Sequence, residues 1–215
     1  LAANVTNEGG VYGSVRLLKN LMGMWLLQQS RAAWTAHNEP FSYGDLVEMA
    51  QTARPFRSFI NVNDPLFIKH GDMPERIQSF CKQTGQPVPQ TKGEIVRVIL
   101  ESLAMAYRAT LAQLTAVTPH PVRVIHIVGG GTQNKLLNQM TANATGLPVI
   151  AGPIEATVIG NATVQLIALG EIADLTQARA IVAEMAESAH YEPQETAVWQ
   201  EMYQRYQEII AQEKD

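Results

Sequence analysis

Hydrophobic residues recur at intervals of three and four along most of the chain, with polar residues between them. This spacing places apolar side chains on one face of a helix, and flanking Ser, Thr, Asp, Gly and Pro mark the helix ends. The pattern predicts eight helices, at about residues 15–36, 43–54, between Asp72 and Gly85, 92–117, 133–145, 155–170, 174–188 and 195–212. We expect the fourth to be the central helix of the domain and the region of about 174–215 to be a helical tail.

Polar residues just before three helices act as predicted start signals. Ser42 is followed three residues later by Asp45, and Thr91 by Glu94. This is the spacing of a capping box, in which each side chain accepts a hydrogen bond from the backbone of the other residue. Ser14 is a possible cap for the first helix, which would then carry both Asn20 and Gln28.

Three short apolar runs predict strands, at residues 59–62, 122–128 and 147–151. The second and third runs are separated by a single predicted helix. The order strand, helix, strand implies a right-handed crossover and a parallel pair. The sequence therefore predicts an α/β domain in which helices outnumber strands.

Gly129, Gly130 and Gly131 follow the strand predicted at 122–128 without interruption. Three glycines remove every side chain from a loop at the carboxyl end of a buried strand, where a ligand would touch backbone. The amides of this turn, with the positive end of a helix beginning near Gln133, predict an anion or nucleotide site. A flexible loop without a ligand is the alternative at this point.

Two other classes of protein, a dinucleotide-dependent oxidoreductase and a helical interaction module, fit this stretch poorly. A dinucleotide-dependent oxidoreductase needs a small residue at position 134 and an acidic residue just past the next strand, but the chain has Asn134 and the tripeptide AGP there. A phosphate loop of the G-x-x-x-x-G-K type is also missing. A helical interaction module would account for the helices but not for a strand, three glycines and a helix in succession.

The amino-acid composition bounds the size of the domain and argues against several kinds of partner. The 215 residues are 46% hydrophobic, enough for one large domain or a domain with an appendage. Sixteen Lys and Arg against twenty Asp and Glu give a net charge of −4 with no basic stripe, so we expect no nucleic acid partner. The apolar run 21–27 is too short to span a bilayer. A single cysteine, Cys81, and scattered histidines predict no metal site and a cytoplasmic location.

Three segments carry a resemblance to a known family. They are TNEGGVYGSVRLLKNLMGMWLLQ at 6–28, FINVNDPLF at 59–67, and the long stretch from HIVGGGTQNKLL to LIALGEI at 126–172. Together they resemble the carboxyl-terminal half of the FGGY carbohydrate kinases, in particular the rhamnulokinase members. The resemblance implies an actin-like, ribonuclease-H-like fold in two domains, with ATP and sugar in the cleft between them. It also implies transfer of the ATP gamma-phosphoryl group to the 1-hydroxyl of L-rhamnulose, or of a related ketose, with magnesium.

The resemblance also assigns residues. The family's sugar contact falls on Asn20, and its nucleotide contacts fall on Gln28 and Gly130. The family's general-base aspartate and its first phosphate-binding hairpin have no counterpart in this chain, which begins at Leu1. We therefore expect a nucleotide-side domain lacking its first strands, no catalytic residue within these 215 residues, and an amino-terminal half as partner. We expect the chain alone to be inactive.

Overall fold

The computed structural model describes residues 5–118, 120–185 and 187–211, and within them it contains eight α-helices and five short strands. The helices are α1 (Trp25–Ala36), α2 (Tyr43–Thr52), α3 (Met73–Gln83), α4 (Lys92–Thr115), α5 (Lys135–Thr145), α6 (Ala156–Ala168), α7 (Leu175–Met185) and α8 (Thr196–Ala211). The strands are β1 (Thr6–Gly9), β2 (Val15–Leu18), β3 (Ile125–Ile127), β4 (Val149–Ala151) and β5 (Ala189–Tyr191). No helix of this described part is long and apolar enough to cross a membrane.

Helix α4 lies at the centre of the hydrophobic core, as its sequence predicted. Its first half is buried on every side, and it packs against α1, α2, α3, α5 and α8. Apolar residues all round a helix are typical of a helix enclosed by others. Gly93 allows a close approach of α4 to α2, because a Cβ atom there would lie 2.5 Å from the carbonyl oxygen of Met49 on α2.

The predicted capping boxes are confirmed. The Ser42 hydroxyl accepts a hydrogen bond from the Asp45 amide at 3.1 Å, and the Asp45 carboxylate accepts one from the Ser42 amide at 2.8 Å. Thr91 and Glu94 exchange the same pair of bonds at the start of α4. These signals succeed because both partners lie within one turn of the chain.

The first predicted helix is wrong over its first ten residues. Residues 15–18 form β2, which pairs with β1 in an antiparallel hairpin, and α1 begins only at Trp25. The Ser14 hydroxyl donates to the carbonyl of Val11 at 2.8 Å and caps no helix. The reason is in the backbone: Gly23, inside the predicted helix, has φ of +58°, which lies outside the right-handed helical region.

The strand predicted at 59–62 is also wrong. The apolar side chains of this segment are fully buried, but its backbone pairs with side chains instead of another strand. The Phe59 amide donates to Gln86 Oε1 at 2.8 Å, and the Ile60 amide donates to Ser102 Oγ at 3.0 Å. The apolar pattern therefore detected burial and misassigned the secondary structure.

The parallel pair around the glycine turn is confirmed, although its strands are short. Ile125 lies opposite Val149, and the register continues to Ile127 opposite Ala151. The third strand, β5, pairs antiparallel with β4 and was missed, since three residues without alternation give no strand signal. This sheet has the order β3-β4-β5, so β3 is one of its edges.

The region of the predicted helical tail, about 174–215, contains two helices and a strand in its described part. Helices α7 and α8 are present, but β5 separates them, and residues 212–215 lie outside the described part of the chain. Helix α8 packs on α4 and α5, and its Trp199, Tyr206 and Ile209 are buried. The last helix therefore belongs to the core. Helix α6 differs, since none of its residues is buried.

Candidate nucleotide site

A cleft of about 770 Å³ opens between the start of α1, one face of α2 and the glycine turn. It brings together four of the five predicted nucleotide contacts: Gln28, Gly130, Gly131 and Gln133. Gln28 lies about 100 positions before the other three in the sequence, and only the fold places it beside them. The remaining lining residues are Met24, Tyr43, Gly44, Val47, Glu48, Gln51, Asn134 and Lys135.

The glycine turn is a short 3₁₀ helix, Gly129–Gln133, separated from the end of β3 by the single residue Val128. Gly129, the fifth predicted contact, does not line the cleft; it has φ of +80°, which turns the chain out of the strand. Its amide donates to the carbonyl of Pro153 at 3.1 Å, beyond the end of β4. The turn is therefore fixed to the neighbouring strand at its first residue.

Gly130 and Gly131 present backbone to the cleft. In a 3₁₀ helix each amide donates to the carbonyl three residues earlier, so the Gly131 amide is directed at the carbonyl of Val128, the N-cap residue, and the Gly130 amide has no acceptor within the helix. Gly130 does not have a positive φ, and a Cβ atom built on it would meet no atom within 4 Å. A side chain at Gly130 would therefore extend into open space without straining the turn.

Helix α5 begins at Lys135, two residues later than predicted. Asn134 is its N-cap, and its side-chain oxygen accepts a hydrogen bond from the Leu137 amide at 3.0 Å. Lys135 and Asn134 both line the cleft. The site thus combines the Gly130 amide with the positive end of a helix and one ammonium group, all of which favour an anion.

The opposite wall of the cleft comes from α2 and was missed by sequence reasoning. Tyr43 and Val47 offer apolar surface, while Glu48 and Gln51 offer polar groups. The guanidinium of Arg31 lies 4.8 Å from the centre of the Tyr43 ring and restrains it. The capping box predicted α2 itself, but no local signal indicates that this face of α2 lies opposite the glycine turn.

Asn20 does not line this cleft, and the expectation that one helix carries Asn20 and Gln28 is wrong. Gln28 lies in the first turn of α1, whereas Asn20 lies in the connection between β2 and α1. The neighbouring residues are held by other segments, since Lys19 bonds to Gln113 of α4 and the Met22 amide donates to Asn63 Oδ1 at 3.3 Å. Asn20 itself is exposed.

The described residues contain no group of three or more His, Cys, Asp or Glu side chains placed to hold a metal ion. Glu48 is the one carboxylate among the residues that line the cleft. Magnesium in proteins is usually held by one or two carboxylates together with water and substrate phosphates. The donor set of this part of the chain does not form a dedicated magnesium site.

The fold and the glycine turn define a class of protein. The chain belongs to the FGGY family of carbohydrate kinases, whose C-terminal domain matches residues 1–169. It is 46% identical over 209 residues to a rhamnulokinase of Bacteroides thetaiotaomicron, a match that covers 97% of this chain and 42% of the relative. It is 38% identical over 211 residues to a rhamnulokinase of Ligilactobacillus salivarius, covering 98% and 43%.

Solved structures agree on the fold. The chain superposes on a xylulose kinase from Rhodospirillum rubrum with a TM-score of 0.67 at 16% identity, covering 97% of this chain and 42% of that one. A gluconate kinase from Lactobacillus acidophilus gives 0.65 at 19% identity, covering 96% and 41%. The fold is therefore that of FGGY sugar kinases, which are actin-like ATPases, and the chain spans about two fifths of the length of these relatives.

Proposed function

We propose that this chain is the nucleotide-binding, carboxyl-terminal part of a cytoplasmic, ATP-dependent sugar kinase, which transfers the ATP gamma-phosphoryl group to the 1-hydroxyl of L-rhamnulose. The observation that carries the proposal is the cleft in which Gln28 of α1 meets Gly130 and Gly131 of the glycine turn. The names of the relatives support L-rhamnulose as the substrate. Another ketose is the alternative substrate, and a nucleotide-binding helical interaction module is the alternative function.

The chemistry of the cleft suits ATP. The amide of Gly130 and the Lys135 ammonium provide donors for phosphate oxygens, in a protein whose net charge is −4. Tyr43 and Val47 provide apolar surface for a planar base. Donors at one wall and apolar surface at the other distinguish this cleft from a site for a small inorganic anion.

The chain alone lacks part of what phosphoryl transfer needs. Such transfer depends on positioning, on metal ions that neutralise charge, and on a residue that orients or deprotonates the nucleophile. We assign no general base to this chain and no ligand for magnesium, which in this proposal is held by ATP and by the amino-terminal part of the protein. Isolated, the chain folds but does not phosphorylate sugars.

The same proposal locates the amino-terminal part. Strand β3 is an edge of its sheet, and α6 has apolar side chains but no buried residue in the described structure. Between α6, α7 and the sheet lies a largely apolar cavity of about 610 Å³, whose lining includes Val128 and Ile159. An uncovered strand edge and a large apolar surface are typical of an interface. We assign this interface to the preceding strands of the same domain.

The proposal is tested by joining this chain to the part of the Bacteroides thetaiotaomicron relative that precedes its match to the chain. We expect this joined protein to convert ATP to ADP only when L-rhamnulose is present, and xylulose to support less turnover. The isolated chain at the same concentration serves as the control. Sugar kinase activity of the isolated chain, or turnover without preference for L-rhamnulose, would contradict the respective part of the proposal.

The separate roles of Asn20 and Gln28 are tested by calorimetry on the joined protein. Gln28→Ala should weaken ATP binding by the worth of one hydrogen bond, about 1 kcal/mol, and leave sugar binding unchanged. Asn20→Ala should weaken sugar binding by a similar amount and leave ATP binding unchanged. Gln29→Ala, the adjacent position on α1 outside the cleft, should change neither affinity. If all three variants bind both ligands like the wild type, Asn20 and Gln28 are surface residues without a ligand.

A further inference from the structure

Asn138 of α5 is fully buried directly behind the glycine turn. Its side-chain nitrogen, Nδ2, donates a hydrogen bond to the backbone carbonyl of Thr132 at 2.9 Å. Its side-chain oxygen, Oδ1, is buried and has no hydrogen-bond partner among the described residues. Rotating the amide would place two oxygens against each other, so Nδ2 must face the Thr132 carbonyl.

Stability does not explain an asparagine at this position. A buried oxygen without a partner is unfavourable, and an apolar side chain of the same shape would avoid that cost. The Thr132 residue is only half-buried, so water can reach the turn if the asparagine bond is lost. What Asn138 adds to the protein is therefore the fixed position of one carbonyl in the turn.

Two carbonyls of the glycine turn, those of Gly129 and Thr132, are fixed by hydrogen bonds from side chains. The Thr132 hydroxyl donates to the Gly129 carbonyl at 2.8 Å, and Asn138 Nδ2 holds the Thr132 carbonyl itself. Gly130 and Gly131, which both line the cleft, lie between these two fixed carbonyls, and the Gly130 amide shares its peptide plane with the Gly129 carbonyl. Three consecutive glycines would otherwise be the most mobile part of the site, because glycine has the widest choice of backbone conformations.

We infer that Asn138 is a positioning residue: it never touches the nucleotide but holds Thr132, whose hydroxyl holds the Gly129 carbonyl and with it the peptide plane of the Gly130 amide, before ATP binds. The inference rests on the proposed function for its ligand. Its first part, that Asn138 orders the turn, stands without any ligand. Pre-ordering the turn increases affinity because less conformational freedom is lost on binding.

The ordering of the turn is tested in this chain by amide hydrogen exchange. Asn138→Leu removes the donor and the unpaired oxygen while keeping the shape of the side chain. We expect faster exchange at residues 130–133, unchanged exchange in α4, and a melting temperature equal to or above that of the wild type. The control is Thr141→Val, which replaces another buried, hydrogen-bonded side chain of α5 away from the turn. Asn138→Ala replaces the leucine variant if that variant does not fold.

The consequence for the nucleotide is tested in the joined protein defined above. Asn138→Leu should raise KM for ATP about fivefold or more, the factor that corresponds to one lost hydrogen bond, with KM for the sugar unchanged. A purely structural role predicts a lower melting temperature and a parallel change in both KM values, which would overturn the inference. Unchanged exchange in the turn would also overturn it, whatever the activity. A joined wild-type protein without ATP turnover would instead remove the proposed function, while faster exchange would still support the ordering role.

Discussion

Helices α4 and α6 are both rich in apolar residues, but they differ in how far these residues are buried. The first half of α4 is almost completely buried, with Ile99, Leu100 and Leu103 at 0% exposure. Helix α6 has no buried residue, and its Val158 and Leu166 side chains are 63% and 38% exposed. Both helices have the apolar content of an interior element, yet only α4 is enclosed by the described part of the chain.

The difference indicates where the partner surfaces of each helix lie. Helix α4 is surrounded by α1, α2, α3, α5 and α8, which all belong to this chain. Helix α6 packs mainly against α7, and the apolar cavity beside it lies open. Because the chain spans about 42% of the Bacteroides relative, we attribute the covering of α6 to the remaining part of such a protein. Helix α6 is therefore fully formed, but its apolar side chains are not enclosed by the described part of this chain.

The comparison is tested most strongly by shortening one leucine in each helix of the isolated chain. Leu100→Ala in α4 should lower the free energy of unfolding by about 2–5 kcal/mol, because it leaves a cavity in a packed core. Leu166→Ala in α6 should change it by less than about 0.5 kcal/mol, as for an ordinary surface substitution. Urea denaturation followed by circular dichroism measures both. Equal losses in the two variants would show that α6 is buried in solution.

A buried ion pair provides the second test of the α4 core. Glu101 is fully buried, accepts a hydrogen bond from Arg97 at 2.6 Å and another from the Phe56 amide at 2.9 Å. Burial raises the pKa of the Glu101 carboxyl above its ordinary value of 4.5, and Arg97 opposes that rise. Arg97→Met should therefore destabilise the chain by about 2–3 kcal/mol at pH 7, somewhat less than for a fully buried pair.

The pH dependence of that variant follows from the sign of the pKa shift. A carboxyl whose pKa is raised in the folded state contributes most to stability below pH 4.5, where it is protonated in both states. Its contribution is lost as the pH rises through the folded-state value. Without Arg97 the folded-state pKa is higher still, so the loss of stability relative to wild type should be larger at pH 7 than at pH 5. Equal losses at both pH values would contradict the assignment.

A charge on α6 should matter only in the joined protein. Leu166→Lys should leave the free energy of unfolding of the isolated chain unchanged. In the joined protein it should lower the free energy of unfolding by about 1–2 kcal/mol, because it would bury a lysine against the preceding strands. Val117→Lys, at an exposed position beyond the end of α4, is the matched control. Thermal denaturation of both variants and the wild type, each as isolated chain and as joined protein, measures the effect. An equal shift for both variants in the joined protein would mean that α6 stays uncovered.

The elements that the sequence predicted well depend on residues close together in the chain. Ser42 with Asp45 and Thr91 with Glu94 define two helix starts within a single turn each. The glycine turn and the parallel strands beside it were likewise predicted from one continuous stretch. In contrast, the backbone of residues 59–60 pairs with Gln86 and Ser102, far away in sequence, and no local pattern indicates such partners.

The candidate site shows the same limit. Gly130 and Gly131 were predicted from their position after a strand, and Gln28 from the family resemblance. The wall formed by Tyr43 and Glu48 was not predicted, because it depends on how α2 packs against α4. The assignment of Asn20 and Gln28 to one helix failed because Gly23 has a positive φ, which a periodicity of apolar residues does not show.

The central claim, that the glycine turn holds the nucleotide, is tested most directly by KM for ATP in the Gly130→Val variant of the joined protein. A Cβ atom at Gly130 meets no atom within 4 Å, so the variant should fold normally while its side chain occupies the space of the ligand. We predict at least a tenfold rise in KM for ATP, about 1.4 kcal/mol, with KM for the sugar unchanged. Gly9→Val, which also has open space but lies on β1 outside the cleft, should behave like wild type. A folded Gly130→Val variant with an unchanged KM for ATP would contradict the claim.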